Sequence, residues 1–211
     1  MIDKICSYLT DQIRKKMPEI DDERAEIINY GLQNIIGEIP KIFIIIGLAF
    51  ILGIGKLALI SFLVILPYRT FSGGFHLHTH IGCILGTSLF YYGNVFLSKY
   101  IVYGNPVIKY IVIAAIWIFG IIMIKMYAPA DTENVPILRK KDRMQKQILS
   151  FLTFTLTLVI AVFVKDNTIS NMMIFGMLFQ TLTITKLAYR LTNNKYGYEL
   201  YQQEKVAENN Y

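Results

Sequence analysis

The reactive side chains of this sequence crowd into one stretch, residues 69–88, which reads RTFSGGFHLHTHIGCILGTS. It holds all three histidines, His76, His78 and His80, and one of the two cysteines, Cys83. A thiol and an imidazole in one segment point to covalent catalysis. The sulfur attacks a carbonyl, while the histidine takes the thiol proton and later protonates the leaving amine. Thiolate character rises at a helix amino terminus or beside an imidazolium, and Cys83 follows Gly82 at the front of an apolar block. His76 and Cys83 are seven residues apart. In one unbroken helix they would share a face but lie about 10.5 Å apart along the axis, beyond hydrogen-bond reach. A dyad therefore requires the backbone to bend between them, and Gly82 is the candidate bend.

The glycine pair fits a second task. Gly73 and Gly74 allow positive φ and close backbone approach to a substrate. Their N–H groups, or that of Cys83, could donate to an oxyanion on the scissile carbonyl; a plain interfacial turn accounts for the pair equally well. Arg69 places a permanent charge beside the site, or simply marks a membrane boundary. The alternation His76, His78, His80 also admits a metal reading. On an extended strand the three would point one way, with Cys83 as a fourth ligand. Against it, no acidic or histidine partner lies within an apolar block, and neither a metal nor another cofactor is expected. A third reading makes the histidines ordinary polar residues at an interface.

Around this stretch the chain is mostly hydrocarbon. It is 54% hydrophobic over 211 residues, above the 45–50% of soluble domains, and reads as membrane-embedded. A formal charge of +6 then reports orientation before it reports nucleic acid, and no nucleic-acid partner is expected. Two cysteines in such different surroundings make no disulfide framework. The start MIDKICSYLTDQIRKK lacks the pattern of a removable signal peptide.

Ile2, Ile5, Leu9 and Ile13 recur at helical spacing, predicting an amphipathic helix that ends in Arg14, Lys15 and Lys16. It either packs on the domain or lies along the bilayer surface. Cys6 is expected buried rather than reactive. Pro18 ends this helix, and Asp21 or Asp22 caps a second one through residue 38. Six apolar blocks follow, at 39–54, 57–68, 81–101, 107–124, 148–164 and 169–187. The second is short for a span, which takes about 20 residues. Merging it with the first, with Lys56 inside, is the alternative.

Charge arbitrates between the two. With six spans and an inside amino terminus, seventeen of the twenty-one Lys and Arg fall inside, leaving Lys56, Lys99, Lys109 and Lys165 outside. Merging would send the basic 125–146 loop to the opposite side from the basic amino terminus, so the positive-inside bias favours six. The expected fold is an all-α membrane protein with six transmembrane helices preceded by amphipathic amino-terminal helices. Its expected division is 1–38 at the cytoplasmic face, 39–190 in the membrane and 191–211 as a polar tail. The 69–80 segment and both termini then face the cytoplasm.

These residues resemble a family: AgrB, the accessory gene regulator membrane endopeptidase of Gram-positive quorum sensing. The likeness rests on R-x-x-x-G-G-x-H with a cysteine seven residues on, here Arg69, Gly73, Gly74, His76 and Cys83. A second matching stretch is YAPADTENVPI at 127–137, and size, apolar blocks and basic loop agree over nearly the whole chain. The resemblance implies a cysteine endopeptidase in a Gram-positive cell membrane, with Cys83 as nucleophile and His76 as general base and acid. Its substrate would be an AgrD-like propeptide with an acidic tail. Cleavage would leave a thioester acyl-enzyme, which an internal cysteine or serine closes into a thiolactone or lactone autoinducing peptide. It assigns no role to His78 or His80, and it makes a homodimer reasonable.

Water exclusion at a membrane boundary favours such ring closure over hydrolysis. The cluster Arg139, Lys140, Lys141 and Arg143 could attract an acidic tail or simply fix orientation. Asp131 could orient His76 or bind substrate. The competing class is a small transporter with a histidine-lined mouth, which should carry ionisable or helix-breaking residues midway through several spans. The first, fourth and fifth blocks have none.

Overall fold

The computed structural model describes residues 2–77, 79–133 and 136–208. Among them the chain folds into nine helices: α1 Ile2–Lys16, α2 Asp22–Ile51, α3 Gly55–Ser72, α4 His80–Tyr100, α5 Pro106–Tyr127, α6 Lys140–Phe163, α7 Asn167–Thr183, α8 Lys186–Leu191 and α9 Gly197–Glu208. The described residues hold no strand, and Gly73 and Ala130 form an isolated parallel bridge. The chain divides into two compact units, Met1–Leu52 and Gly53–Tyr211.

In the first unit α1 packs on α2. Cys6 and Thr10, one turn apart, are buried, and the threonine hydroxyl donates back to the Cys6 carbonyl at 2.9 Å. The cysteine is thus inside, as its place among apolar residues predicts. Asp21 caps α2 by accepting from the Arg24 N–H at 2.8 Å, which satisfies one of the donors a helix start leaves open. The sequence separates a capped helix through residue 38 from an apolar block beginning at 39. In the fold both belong to one 30-residue helix that runs through Pro40, because proline removes one backbone bond and kinks a helix without always ending it. The helix stops at Leu52–Ile54, where Gly53 has φ +72°, so the first and second apolar blocks are separate helices.

The second unit is built around α7. Eight successive residues, 170–177, are buried, so this helix is covered on every side, by α3, α4, α5 and α6. Ile65 and Tyr68 of α3, Phe154 and Leu158 of α6, and Ile174 and Met177 of α7 form the centre of the core. Gly120 of α5 admits the Phe154 ring, which a side chain there would strike. The outward faces carry exposed apolar residues at helical spacing, such as Ile81, Leu85 and Leu89 on α4, a surface suited to lipid.

Among the described residues four helices are long and apolar enough to cross a membrane: Gly55–Ser72, Ile81–Tyr100, Pro106–Tyr127 and Lys140–Phe163. Of the other two apolar blocks, the first is the shorter apolar segment Ile39–Ile51. The last is α7, 17 residues long. Polar contacts tie α7 to its neighbours near its start. Asn94 donates to the Ser61 hydroxyl at 2.9 Å and the Met172 carbonyl at 3.0 Å. Asn171 donates to the carbonyls of Ser98 and Ile101. Such bonds join helices where apolar lipid offers no drive for their association.

Candidate active site

At the opposite end of α7 the bundle gathers the carboxyl ends of α3, α5 and α7, the start of α4, and α8. The chain leaves α3 at Gly73 (φ +71°) and Gly74 (φ +135°), a backbone region that side chains rarely adopt. Space imposes glycine as well. A Cβ on Gly73 would strike the Ala130 carbonyl, and one on Gly74 would lie 2.5 Å from Arg69 Nη1. The Gly74 N–H donates to the Ala130 carbonyl at 2.9 Å, and the Ala130 N–H donates to the Ser72 carbonyl at 2.8 Å. Ala130, from the 127–137 stretch, and the glycine pair, two separate sequence matches, are therefore joined through the backbone.

Arg69 is the hub of this segment. Nη2 donates to the Phe75 carbonyl at 2.8 Å, and Nη1 donates to Thr183 Oγ1 at 3.1 Å and Gln180 Oε1 at 3.4 Å. Gln180 in turn donates to the Gly73 carbonyl at 2.9 Å and the Ser72 hydroxyl at 3.0 Å. A planar fork with fixed donors can hold an extended segment against a helix end in this way, and the cation also suits the negative carboxyl end of α7.

His76 follows directly. It is exposed, and its carbonyl accepts from Asn194 Nδ2 at 2.9 Å. Thr79 caps α4 by accepting from the Gly82 N–H at 3.0 Å. Cys83 is the fourth residue of α4 and half-buried. The helix carrying Cys83 therefore starts before Gly82, and the expected bend at that glycine is replaced by the cap at Thr79. Gly82 serves clearance, since a Cβ there would lie 2.6 Å from Thr79 Oγ1. A Cβ on Gly86 would meet Leu77 Cδ1 at 2.7 Å. Leu77 thus folds back over the helix face that Gly82 and Gly86 share, which brings the residue next to His76 beside the first turn of the helix that carries Cys83.

The backbone donors considered for an oxyanion are all engaged. Gly73 N–H donates to the Arg69 carbonyl, Gly74 N–H to that of Ala130, and Cys83 N–H to that of Thr79. Their sites serve to shape the segment. His78 lies outside the described residues. His80 opens α4, so the three histidines do not lie along one extended strand, as the alternation allowed.

Asp131 is buried and turned to a different use from orienting His76. Its Oδ2 accepts from the Ile137 N–H at 2.8 Å and from Arg143 at 3.0 Å, and this ion pair is inaccessible on the aspartate side. Oδ1 has no partner among the described residues. Arg143 also lies over the Tyr198 ring at 4.2 Å, so it clamps the loop to α9, while Arg139, Lys140 and Lys141 remain exposed. Tyr189 donates to the carbonyls of Ala130 and Asp131 at 2.9 and 3.0 Å, and stacks on Tyr196 with centroids 4.1 Å apart. Burial pushes both phenols above their ordinary value. Arg69 opposes the rise at Tyr189, whereas Tyr189, Tyr127, Glu199 and Asp131 add to it at Tyr196.

Sequence reasoning missed Ala130, Gln180, Thr183 and Asn194. The available signal was the polar run Gln180, Thr181, Thr183 and Thr185 inside an apolar block, where polar groups mark contacts with the bundle interior.

The fold and site define a helical membrane protein with a histidine–cysteine segment pinned at one end of its bundle. Residues 4–184 match the family described as accessory gene regulator B, AgrB, and the chain belongs to that family. An AgrB-like protein of Listeria monocytogenes serovar 1/2a is 27% identical over 186 residues, 86% of this chain and 88% of that one. AgrB-like protein 2 of Clostridium perfringens strain 13 is 28% identical over 200 residues, 88% of this chain and 92% of that one. No solved structure matches the chain.

Proposed function

We propose that this protein is a membrane cysteine endopeptidase that removes the carboxyl-terminal tail of an AgrD-like propeptide and promotes its cyclisation for quorum sensing. Cys83 is the nucleophile and His76 the general base and acid. The imidazole takes the thiol proton, and sulfur adds to the scissile carbonyl. The C–N bond then breaks as His76 returns the proton to the leaving amine, leaving a thioester. A cysteine or serine within the bound peptide gives its proton to the now neutral His76 and attacks that thioester. The ring bond forms as the bond from the acyl carbon to the Cys83 sulfur breaks, and the imidazolium returns the proton to the Cys83 thiolate. The observation that carries this reading is the fold-back of Leu77 onto Gly86, which turns the residue after His76 toward the first turns of the helix bearing Cys83. Membership of the AgrB family supports it.

In this reading six segments cross the membrane, with Ile39–Ile51 and α7 joining the four long helices, and the site faces the cytoplasm of a Gram-positive bacterium. The basic bias of 125–146 and of both termini supports that orientation. Exposed Arg139, Lys140 and Lys141 attract acidic substrate. Propeptide processing by purified protein in nanodiscs tests the assignment. Cys83→Ser and His76→Ala should each lower cleavage at least about a hundredfold, and alkylation should block the wild type. Normal rates in both variants would end the dyad; inhibition by chelators with resistance to alkylation would move the chemistry to a metal.

A further inference from the structure

The reaction proposed above leaves the cleft between α8 and α9 unused. It is a cavity of about 400 Å³, within the size of sites that bury a ligand. α8 presents Lys186, Tyr189 and Arg190 to it, and α9 presents Glu199, Leu200 and Gln203. Positions three and four apart make one face of each helix. The connecting loop closes one end with Asn194 and Lys195. Lys186, Arg190 and Lys195 are exposed, and among the described residues none of them makes an ion pair. Among the described residues, three cations without an ion pair therefore line a concave wall with one carboxylate, Glu199. Such a wall recognises carboxylates.

Its position relative to the dyad decides which carboxylates. Asn194, on the cavity's rim, holds the His76 carbonyl at 2.9 Å. A histidine that protonates the leaving amine stands on the leaving-group side of the scissile bond. Each peptide residue extends up to about 3.6 Å, so the first few residues beyond the bond span the distance from His76 to this wall.

We propose that the α8–α9 cavity binds the acidic segment of the peptide substrate that immediately follows the scissile bond. This rests on the reading of His76 and Cys83 given above, and binding measured on the full-length Cys83→Ala protein separates the two. In nanodiscs of zwitterionic lipid, a glutamate-rich synthetic peptide should bind this protein, and its glutamine counterpart should bind weakly. Changing Lys186, Arg190 and Lys195 together to Gln should weaken the glutamate peptide on the order of tenfold and leave the glutamine peptide unchanged, because each exposed pair contributes only modestly and three act together. Glu199→Gln should tighten the glutamate peptide a few-fold, a gain that misfolding cannot produce.

Equal affinity of parent and triple variant for the glutamate peptide would overturn the proposal, as would equal loss of both peptides. It would also be overturned if the triple variant lost affinity for phosphatidylglycerol vesicles and kept the peptide, which would assign the cavity to a lipid headgroup. Because the sulfur is absent from every protein compared, retained acidic-peptide binding beside fully active Cys83→Ser would sink the dyad and leave this cavity's role standing.

Discussion

Asn194 Nδ2 reaches across 118 sequence positions to the His76 carbonyl, at 2.9 Å. The tail beyond the last apolar helix therefore helps fix where the imidazole sits. That tail is itself anchored, because the Asn194 N–H donates to the Tyr189 carbonyl at 2.8 Å and Tyr189 is buried. Asn194→Ala should lower kcat about tenfold, since small misplacements of a reacting group carry large rate penalties. Asn194→Asp should do the same, because a carboxylate cannot donate to a carbonyl. A positioning role predicts that the acid limb of the pH–kcat profile keeps its midpoint while its plateau falls. A shifted midpoint would instead make Asn194 a part of the proton transfer.

Arg69 offers a test of geometry against charge. Its fork serves Phe75, Thr183 and Gln180 at once, and a lysine ammonium cannot copy those directions. Arg69→Lys should therefore lose most activity, at least about tenfold, although the charge is kept. Chymotrypsin should cut after Phe75 faster in the variant, because the carbonyl of that residue has lost its clamp. Wild-type activity with lysine would reduce Arg69 to a boundary charge.

The glycines separate along similar lines. Gly73→Ala meets both the positive φ and the Ala130 carbonyl, and a non-glycine residue in such a region loses about 1–2 kcal/mol before any clash. Gly82→Ala meets only the Thr79 hydroxyl at 2.6 Å, which can rotate away at the expense of an N-cap worth about 1 kcal/mol. Thermal unfolding in detergent should rank Gly73→Ala well below Gly82→Ala. The reverse order would show that the bridge to Ala130 is dispensable.

The helical character of the apolar blocks was legible because its signals are local, but several boundaries were not, since α2 runs unbroken from Asp22 to Ile51 and α3 reaches Ser72. Asp21 caps a helix and Cys6 lies inside, as their local surroundings predict, whereas the cap at Thr79 and the helix end at Gly73 emerge only from the fold. The segment of Arg69, Gly73, Gly74, His76 and Cys83 also stood out for a local reason, since these residues lie within one short run. What holds that run did not. Ala130, Gln180, Thr183 and Asn194 come from elements far along the chain, and a threonine in an apolar block looks the same whether it faces a headgroup or a guanidinium. The partners of Asp131 were hidden by the same blindness to distance. Its Oδ2 is engaged by Arg143 and the Ile137 N–H. Gly82 looked like a hinge because glycine often is one, yet the helix is already capped at Thr79.

The Asp131–Arg143 pair yields an asymmetric prediction. Removing a partner from a buried ion pair costs about 3–5 kcal/mol, because the remaining charge is stranded. Asp131 is buried and Arg143 is partly exposed, so Arg143→Met should destabilise more than Asp131→Asn. The double variant should recover part of the loss, because the neutral amide leaves no carboxylate stranded inside. Chemical denaturation of the three proteins measures the coupling, and strict additivity would show that the two side chains do not act together.

The tyrosine stack gives the loop a pH limit. Tyr196 donates to the Ile184 carbonyl at 2.9 Å and is buried, and burial followed by the neighbouring Tyr189 raises its pKa above the ordinary value. An unfolded tyrosine loses its proton near pH 10, while the folded phenol holds on. The stabilisation is complete below about pH 10 and declines as pH rises from there toward the folded value. Tyr196→Phe forfeits the bond to Ile184 but removes one of these titrations, so it should be less stable at neutral pH and flatter in its alkaline decline. Melting temperatures measured across that range test this. Parallel declines in wild type and variant would assign the alkaline limit to other groups.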